Sequence, residues 1–520
     1  MSQINFSKTF LGIEFGSTRI KACLIGEDFA PIAQGAHDWE NRLENGYWTY
    51  SLDDIHSGLQ SCYADLKRDV REKYGVILET VGAMGISAMM HGYMAFDGGD
   101  DLLVPFRTWR NTTTEKAAAE LTRLFGFNIP QRWSIAHLYQ AVLNKEPHVP
   151  QIAHITTLAG YIHFLLTGNR AVGIGEASGM FPVNGNGYDE DMLGKFGGLV
   201  PDMDIRAVLP AVLSAGEAAG NLTEAGAKFL DPDGDLKPGI PLCPPEGDAG
   251  TGMTATNAVR AGTGNVSAGT SVFSMLVLEK NLSGVYPEID MVTTPDGSPV
   301  AMVHCNNCCS ELDAWVGMFG EFAELIGKPL SKNELYETLY RNAMKGSPDC
   351  GGVTAYNCLS GEPVIGVESG RPLYFRTPDS KMSLADFFRA QLCSAFAALR
   401  YGMDILFNEG NVSAEQFTGH GGLFKVSGTA QQILADALKT PVAVMETAGE
   451  GGAWGMALLA AYAVCGTGKS LADFLESEVF TGMKKTVLTP SEEGAKGFDD
   501  FMERYVCGLA AEKAAGTSKK

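Results

Sequence analysis

The most constraining feature of the sequence is a run of small residues around one acid near the middle of the chain. Asp248 lies among glycine, alanine and threonine residues within the stretch 243–271. Small neighbours leave a carboxylate open to close approach by a substrate. The same position, before the helix-compatible run TGMTATNAV, is also that of a helix N-cap, and taken alone it favours the capping interpretation. The rest of the chain is needed to decide between the two.

Two turns rich in glycine and in serine or threonine follow this acid, at residues 262–265 and 268–271. Backbone N–H groups and hydroxyls in such turns can bind phosphate oxygens. The sequence therefore places a candidate acid or base and a candidate phosphate site within one short stretch.

Length and charge restrict the classes of protein to which the chain can belong. At 520 residues it exceeds one ordinary core, so two domains are expected. A net charge of −21 argues against binding to nucleic acid or to a membrane through a surplus of Lys and Arg. No apolar run is long enough to span a bilayer, and the start MSQINFSKTF lacks the plan of a signal peptide. A cytoplasmic protein is therefore expected.

Eleven scattered cysteines are typical of reduced thiols in a large cytosolic protein. Cys305, Cys308 and Cys309 form the one cluster. A zinc site would need a second pair at a similar spacing, which the sequence lacks. We expect buried or cleft-lining thiols at this cluster.

The N-terminal segment TFLGIEFGSTRIKACLI predicts a strand, a tight turn and a second strand. Glu14 ends the first strand, Lys21 lies on the second, and Gly16-Ser17-Thr18 forms the turn. The spacing differs from that of a P-loop, so a phosphate bound here would meet a hairpin instead of a helix N-terminus.

Two further loops are candidates for ligand contacts. The loop MMHG, residues 89–92, follows a predicted buried strand at the edge where α/β enzymes bind ligands. His91 at this place is as compatible with a structural role as with ligand binding. In the loop FRTWRNTT, Trp109 would either stack on a sugar ring or anchor the core.

The C-terminal half repeats the plan of the N-terminal half. It opens with a hairpin at about residue 260, residues 384–407 predict the strongest helix, and residues 418–422 predict a glycine-rich turn between strand and helix. Two domains of similar construction that face each other would bring Glu14, Asp248 and Gly269-Thr270 into one cleft.

In their order along the chain these motifs resemble those of the FGGY family of carbohydrate kinases, in the superfamily of actin, hexokinase and Hsp70-like ATPases. LGIEFGSTRIKA resembles the first phosphate loop of the family, MMHG the sugar-contact loop of xylulokinases, and EGDAG the motif with the catalytic Asp. SAGTS resembles the second phosphate loop, and TGHGG with EGGAWGMALLAA resembles the adenosine-binding region.

The resemblance implies an α/β fold of two actin-like (ribonuclease H-like) domains. Each would have a mixed central sheet flanked by helices, with a cleft between the domains. The N-terminal, sugar-binding domain would cover residues 1–258, and the C-terminal, nucleotide-binding domain residues 259–510. Residues 511–520 would form a flexible tail.

The resemblance also implies an ATP- and Mg²⁺-dependent enzyme that phosphorylates a small carbohydrate, with a ketopentose such as D-xylulose first. Asp248 would be the general base, and Glu14 and Asp248 would hold the metal. Beside Asp248, the sugar contacts would be Met90, His91, Gly92, Trp109 and Asn111. The ATP contacts would be Gly16, Ser17, Thr18, Lys21, Gly269, Thr270, Ser271, Gly421, Gly422 and Gly452.

The chain departs from the family pattern at several places, most of them on the substrate side. Glu14 replaces an Asp, Ala249 an Asn that is common in xylulokinases, Asn111 the Asp of a W-x-D-x-R motif, and Gly160 the Asp of a D-Y-L motif. Another ketose (L-fuculose, L-rhamnulose or L-ribulose), a sugar acid or a polyol therefore stays open as the substrate. A catalytically weak ATP-binding regulator of the same fold, and a homodimer, also stay open.

Overall fold

The computed structural model describes residues 4–446 and 451–517. Internal contacts divide the chain into two compact units. The first comprises residues 4–259, 291–300 and 451–481, and the second comprises residues 260–290, 301–446 and 482–517. Within these described residues no helix is both long and apolar enough to cross a lipid bilayer.

The strands and helices are as follows. Up to residue 259 the strands are Phe10–Phe15 (β1), Arg19–Ile25 (β2), Pro31–Asp38 (β3), Arg42–Glu44 (β4), Tyr47–Thr49 (β5), Ala83–Ala88 (β6), Met94–Phe96 (β7), His154–Thr156 (β8), Ala171–Gly173 (β9), Val183–Asn184 (β10), Gly187–Tyr188 (β11), Ala211–Leu213 (β12) and Glu246–Gly247 (β13). The α-helices there are Leu52–Tyr74 (α1), Glu115–Phe125 (α2), Ser134–Leu143 (α3), Leu158–Thr167 (α4), Ile174–Ala177 (α5), Glu190–Leu199 (α6), Ile205–Val208 (α7), Glu224–Leu230 (α8) and Asp248–Ala255 (α9).

From residue 260 onward the strands are Thr263–Ala268 (β14), Val272–Val277 (β15), Asp290–Thr293 (β16), Pro299–Cys305 (β17), Val353–Tyr356 (β18), Leu373–Arg376 (β19), Gln416–His420 (β20), Val442–Met445 (β21) and Lys485–Leu488 (β22). The α-helices are Ser310–Leu325 (α10), Lys332–Ala343 (α11), Leu384–Asn408 (α12), Ala430–Leu438 (α13), Gly451–Cys465 (α14), Leu471–Phe474 (α15) and Glu492–Thr517 (α16). Short 3₁₀ segments cover Phe6–Lys8, Val149–Gln151, Cys350–Gly352, Pro363–Ile365 and Gly422–Lys425, and a π-helical turn covers Leu475–Val479.

The two large sheets share one plan. The first sheet has the order β13-β6-β1-β2-β3, in which β1, β2 and β3 are antiparallel neighbours and β6 and β13 continue the sheet in parallel. The second has the order β16-β17-β15-β14-β20-β21-β22, with β14 antiparallel to β15 and parallel to β20. The mixed sheets and the two-domain α/β architecture predicted from the sequence are confirmed.

Local signals account for the elements that the sequence predicted best. The segment predicted as a helix at residues 51–73 is α1, which begins after the N-cap Ser51 and ends at Gly75 in a left-handed conformation. The segment predicted as the strongest helix is α12, and most of its residues are buried. The hairpin predicted at the N-terminus is β1 and β2, paired from Phe10 with Ile25 to Phe15 with Ile20.

Three expectations need correction or restriction. The turn expected at residues 262–265 is limited to Gly262, at a φ of +80°, because β14 already begins at Thr263. Helix α16 continues to Thr517, through part of the segment expected to be a flexible tail, and its buried Glu512 accepts the backbone N–H of Arg371 at 2.8 Å. Glu450, which begins the motif EGGAWGMALLAA, and residues 518–520 lie outside the described residues.

Helix α14 packs unusually close to the first sheet. A Cβ atom at Gly12 of β1 would lie 2.1 Å from the carbonyl oxygen of Ala453. A Cβ atom at Gly455 would lie 2.0 Å from the carbonyl oxygen of Thr251 on α9. The backbone of α14 is therefore in direct contact with the backbone of β1 on one side and of α9 on the other. Such contacts explain why this helix is built from small residues.

Replacing Gly455 by Ala should destabilise the first unit, because neither backbone can move away without disturbing the sheet. We expect Gly455→Ala to lower the free energy of unfolding by about 1–3 kcal/mol. The matched control is Gly194→Ala on α6, where a Cβ atom would have no described heavy atom within 4 Å. That change should be neutral or stabilising by up to about 1 kcal/mol. Chemical denaturation of both variants tests this, and equal stabilities would contradict the packing argument.

A buried carboxyl group anchors the turn before α10. Glu362 is almost fully buried, and its Oε2 accepts the backbone N–H of Asn307 at 3.2 Å and the side-chain Nδ2 at 3.1 Å. Burial raises the pKa of Glu362 to about 7, although the hydrogen bonds from Asn307 oppose this shift. The folded protein therefore holds a proton that the unfolded chain releases near pH 4.5.

This shift predicts a pH-dependent cost to stability. The contribution of the Glu362 proton is fully present below pH 4.5 and is lost as the pH rises through about 7, a change of about 3 kcal/mol. In Glu362→Gln this group no longer titrates, so its stability relative to the wild type should improve by about 2–3 kcal/mol between pH 5 and pH 8. Denaturant unfolding at both pH values measures the effect. The exposed Glu368→Gln should show no such change, and a Glu362→Gln difference independent of pH would refute the shift.

Candidate active site

Asp248 lies where the first sheet meets α9. Strand β13 ends at Gly247, which is the N-cap of α9, so Asp248 is the first residue of the helix and its side chain is not the cap. Its Oδ1 accepts the backbone N–H of Met90 at 3.0 Å, from the loop after β6. The residue is exposed, whereas desolvation of its carboxyl group by the surrounding protein raises its pKa, and the Met90 N–H opposes that rise. The arrangement holds one carboxyl oxygen in a fixed place.

A second carboxyl group, Glu14 on β1, lies near Asp248. Burial and the charge of Asp248 raise the pKa of Glu14 to about 7, while Lys21 lowers it. Lys21 is directly opposite Glu14 in the β1–β2 ladder, so both side chains point to the same face. Gly452 lies against this group, because a Cβ atom there would be 2.2 Å from Oε1 of Glu14. Glu14, Lys21, Asp248 and Gly452 are thus neighbours within the first unit.

The donor set of Glu14 and Asp248 fits a divalent cation. Mg²⁺ is bound by one or two carboxylates together with water and phosphate oxygens. Burial and the charge of Asp248 raise the pKa of Glu14 despite the nearby Lys21, and a bound cation would favour the ionised form of both carboxyl groups. Among the described residues no cluster of three His, Cys, Asp or Glu side chains forms a cage for a metal, so these two carboxylates would hold only part of its coordination shell.

The turn at residues 16–18 is fixed through its carbonyl groups. Trp39 Nε1 donates to the Gly16 oxygen at 2.7 Å, the Tyr50 hydroxyl donates to the Ser17 oxygen at 2.6 Å, and the Trp39 backbone N–H donates to the Thr18 oxygen at 3.1 Å. The rings of Trp39 and Tyr50 stack at 4.0 Å between centroids. A rigid aromatic support therefore holds the turn predicted to bind phosphate.

The loop predicted to contact sugar has a strained backbone. His91 has a φ of +72°, which is uncommon outside glycine, and Gly92 follows with a φ of +95°. The buried ring of His91 places Nδ1 3.1 Å from the carbonyl oxygen of Gly179, in the ASG loop. This contact joins the loop MMHG to the residues that follow α5.

Asn111 and Trp109 have clear structural contacts. The amide of Asn111 accepts the Trp48 N–H at 2.8 Å, and its Nδ2 donates to the Trp48 oxygen at 2.9 Å and to the Thr108 oxygen at 3.0 Å. Trp109 is partly buried and packs against the core of the first unit. The side chain of Asn111 is therefore occupied in holding the backbone beside this loop, and its proposed sugar contact stays a prediction.

Two buried acids next to Asp248 were not identified from the sequence. Glu246 on β13 accepts the N–H groups of Gly175 at 3.2 Å and Glu176 at 3.0 Å, so it binds the start of α5. Glu176 is itself fully buried against Gly247, where a Cβ atom would lie 2.5 Å from its Oε2. Burial, and the charges of Glu246 and Asp248, raise the pKa of Glu176 well above its usual range. Glu246 lies inside the motif EGDAG, which was the available signal, and Glu176 lies in the sequence EASG at residues 176–179.

The start of α3 was also missed. Ser134 Oγ donates to the Gly92 oxygen at 2.5 Å, and the ring of the N-cap residue Trp133 stacks on His91 at 6.3 Å. Nε1 of Trp133 and both ring nitrogens of His137 are buried with no hydrogen-bond partner in the described part of the chain. Burial lowers the pKa of His137 to about 3, so its ring is neutral. The sequence has no motif here, and only the structure brings α3 under the predicted sugar loop.

The second unit carries the other group of predicted residues. The Gly269 N–H donates to the Ser271 oxygen at 2.9 Å and closes the turn between β14 and β15. At Gly421, with a φ of +100°, a Cβ atom would lie 2.5 Å from the Ala268 oxygen, so only glycine fits. A hollow of about 630 Å³, which we call the nucleotide hollow, is lined by Gly269, Thr270, Cys309, Lys332, Gly422 and Lys425, among others.

The neutral side chain of His420 connects the neighbouring strands β14 and β20 of this unit. Burial lowers the pKa of His420 to about 4, and its Nε2 accepts the Nδ2 hydrogen of Asn265 at 3.2 Å. His420 ends β20, directly before Gly421, and Asn265 lies on the adjacent β14. The sequence analysis quoted TGHGG for its glycines and gave no role to this side chain.

Comparison with known proteins assigns both halves of the chain to the same family. Residues 9–249 match the FGGY family of carbohydrate kinases, N-terminal domain, and residues 264–464 match the C-terminal domain of the same family. A xylulose kinase of Haemophilus influenzae is 24% identical over 447 residues, covering 83% of this chain and 84% of that protein.

Solved structures agree with this assignment at the level of fold. Structures described as a ligand-bound xylulose kinase and as a gluconate kinase, both from Lactobacillus acidophilus, each have a TM-score of 0.79 and 16% identity to the chain. Each alignment covers 98% of this chain and 99% of the other. The family resemblance noted in the sequence is confirmed, and the chain belongs to the FGGY family of carbohydrate kinases.

Proposed function

We propose that this carbohydrate kinase transfers the γ-phosphoryl group of ATP to a hydroxyl of a ketopentose, D-xylulose first, with Asp248 as general base. The observation that carries the proposal is the exposed carboxylate of Asp248, held by the Met90 N–H beside the loop MMHG. The similarity to a xylulose kinase supports the choice of sugar.

The reaction needs a group that removes a proton from the sugar. As the hydroxyl oxygen attacks the γ-phosphorus, Asp248 accepts the hydroxyl proton. The bond from the γ-phosphorus to the β,γ-bridging oxygen breaks, and ADP leaves. The proton then passes from Asp248 to water, so the carboxylate is ready for another cycle.

The reaction also requires that the phosphate groups of ATP are positioned and that their negative charge is neutralised. The turn at residues 16–18, Lys21 and the turn at residues 269–271 supply backbone N–H groups and a cation, and Gly421 and Gly422 leave room for the nucleoside. Gly452 gives the Glu14 carboxylate its space. Glu14 and Asp248 would hold Mg²⁺, which supplies positive charge to the phosphates when bound.

Charge favours a neutral sugar over a sugar acid. Glu14 and Glu176 interact electrostatically with Asp248, and both are acids whose pKa values are raised by burial and by negative neighbours. A carboxylate on the substrate would add another negative charge at this place. The likeness to a structure described as a gluconate kinase shows only a shared fold, so it does not weigh against this argument.

Other ketoses (L-fuculose, L-rhamnulose and L-ribulose) and polyols are neutral and stay as alternative substrates. The weak ATP-binding regulator is less favoured, because the residue proposed as base and the two turns proposed to bind phosphate are present and held by hydrogen bonds. A sugar screen can separate all of these candidates.

We expect sugar-dependent ADP formation by the purified protein with Mg²⁺, and we expect Asp248→Asn to lower kcat by about 10²–10⁴-fold. The amide cannot accept the hydroxyl proton, although it preserves the size of the side chain. A coupled ADP assay against D-xylulose, other ketoses, polyols and D-gluconate measures both quantities.

The control for this experiment is Asp233→Asn, an exposed acid of the same unit that should leave kcat unchanged. Turnover only with D-gluconate would overturn the argument for a neutral sugar. Full activity in Asp248→Asn would overturn the assignment of the base, and absence of turnover with every sugar would favour the regulator.

Glu246 should act as a positioning residue, because it joins α5 to β13, the strand that directly precedes Asp248. The two carboxylate oxygens of Glu246 each accept one N–H group of α5. The side-chain amide of Glu246→Gln has one oxygen and an NH₂ group that cannot accept, so at least one hydrogen bond to α5 is lost. We expect kcat/KM to fall about tenfold, as for loss of one buried hydrogen bond. Glu79→Gln, at an exposed acid that pairs with Lys237, is the control. An unchanged kcat/KM at unchanged melting temperature would show that the link has no part in positioning.

A further inference from the structure

The turn at residues 305–309, which we call the cysteine turn, supports the second phosphate turn directly. It joins β17 to α10. The Cys308 N–H donates to the Thr270 oxygen at 2.9 Å, and the Cys309 N–H donates to the Gly269 oxygen at 3.1 Å. Two consecutive peptide groups of the cysteine turn therefore hold the two residues that are predicted to bind phosphate.

The thiols of this turn form an adjacent pair with unequal access. The Sγ atoms of Cys308 and Cys309 are 3.6 Å apart. Cys308 is buried, whereas Cys309 is partly exposed and lines the nucleotide hollow. A small reagent in the hollow can therefore reach one sulfur, and the second sulfur lies in contact behind it.

We propose that Cys308 and Cys309 form a dithiol site that small peroxides oxidise reversibly to a disulfide, and that this modification weakens nucleotide binding. The effect on the nucleotide rests on the function proposed above, whereas the thiol chemistry does not. No group of three potential ligands is found among the described residues, so geometry favours thiol oxidation over metal binding at this turn.

The oxidation of the two thiols by hydrogen peroxide takes two steps. The Cys309 thiol attacks hydrogen peroxide, the O–O bond breaks, and Cys309 sulfenic acid and one water form. The Cys308 thiol then attacks the Cys309 sulfur, the S–O bond breaks, and a disulfide and a second water form. The two sulfurs together lose two electrons to the peroxide, and both thiol protons end in water.

Closure of this disulfide must disturb the phosphate turn. The sulfurs have to approach from 3.6 Å to about 2.05 Å. Adjacent Cα atoms are about 3.8 Å apart across a trans peptide, which is shorter than the separation of about 4.4–6.8 Å in ordinary disulfides. The peptide between the two cysteines must rotate, and its N–H is the one that holds Gly269. Such a strained bond is readily reduced by thiols, so the modification is reversible.

Another thiol pair in the same unit provides an internal comparison. Cys350 and Cys393 have Sγ atoms 3.7 Å apart, but both residues are buried, and neither lines the nucleotide hollow. If proximity alone determined oxidation, both pairs would react. If access through the hollow determines it, only Cys308 and Cys309 react.

The experiment treats the full-length protein with hydrogen peroxide, blocks the remaining thiols, and maps every cysteine by peptide mass spectrometry. We expect a disulfide within the peptide that carries Cys308 and Cys309, reversal by dithiothreitol, and slower oxidation of Cys309 in the presence of ADP. The affinity for fluorescent ADP should fall about tenfold or more on oxidation, because the turn loses hydrogen bonds. The ratio of affinities before and after peroxide is compared within each variant.

In Cys309→Ser this ratio should be close to one, whereas Cys465→Ser, at an exposed thiol of the first unit, should respond like the wild type. Oxidation of Cys465 and Cys507 without a Cys308–Cys309 disulfide would overturn the proposal, as would a disulfide that leaves the affinity for ADP unchanged. Failure of the untreated protein to bind ADP would instead count against the proposed function, and the peptide map would still decide the thiol chemistry.

Discussion

The close contact of α14 with β1 and α9 is the constraint on which the first unit depends. The backbone of α14 touches the backbone of both elements, at Gly12 on one side and at Gly455 on the other. Because β1 carries Glu14 and α9 begins with Asp248, this single contact fixes the two carboxylates relative to each other. Side chains larger than glycine at these places would push the elements apart and change the distance between the acids. Precision at the site therefore comes from backbone packing and not from the acidic side chains themselves.

The same region concentrates negative charge in a place where burial makes charge costly. Glu14, Glu176, Glu246 and Asp248 belong to four short segments that meet at one edge of the first sheet. Only Asp248 is exposed, so it is the acid whose ionised form is best hydrated. The other three acids are held by backbone N–H groups or by glycine-lined spaces, and burial together with negative neighbours raises the pKa values of Glu14 and Glu176. Further negative charge on a substrate would be unfavourable at this place, which is the electrostatic reason why we propose a neutral sugar.

Local patterns predicted much of this structure. The hairpin of β1 and β2, the helix α1 with its Ser51 cap, the long helix α12 and the glycine at Gly421 all follow from alternation, periodicity or backbone conformation. Long-range packing was not predictable in this way. Nothing in MALLAAYAV indicates that α14 returns to β1, because small residues are compatible with many partners. Glu246 appeared only as the first letter of the motif EGDAG, and its hydrogen bonds to α5 depend on a segment about seventy residues away. The cleft predicted between the domains stays a prediction.

One departure from the family pattern now has a physical explanation that bears on the substrate. A Cβ atom at Gly160 would lie 2.3 Å from Oγ1 of Thr156 and 2.8 Å from Cγ1 of Val172. An aspartate at this place would therefore require the side chains of Thr156 and Val172 to shift. The side-chain amide of Asn111 likewise forms hydrogen bonds with the backbone of Trp48 and Thr108. Two positions that depart from the family pattern thus have structural contacts of their own, while β1, β13 and α9 hold Glu14 and Asp248 through backbone packing that allows little variation. We therefore expect differences in substrate within this fold to arise from α3, α4 and the loop at Trp109, and we expect phosphoryl transfer to depend on the residues of the central sheet.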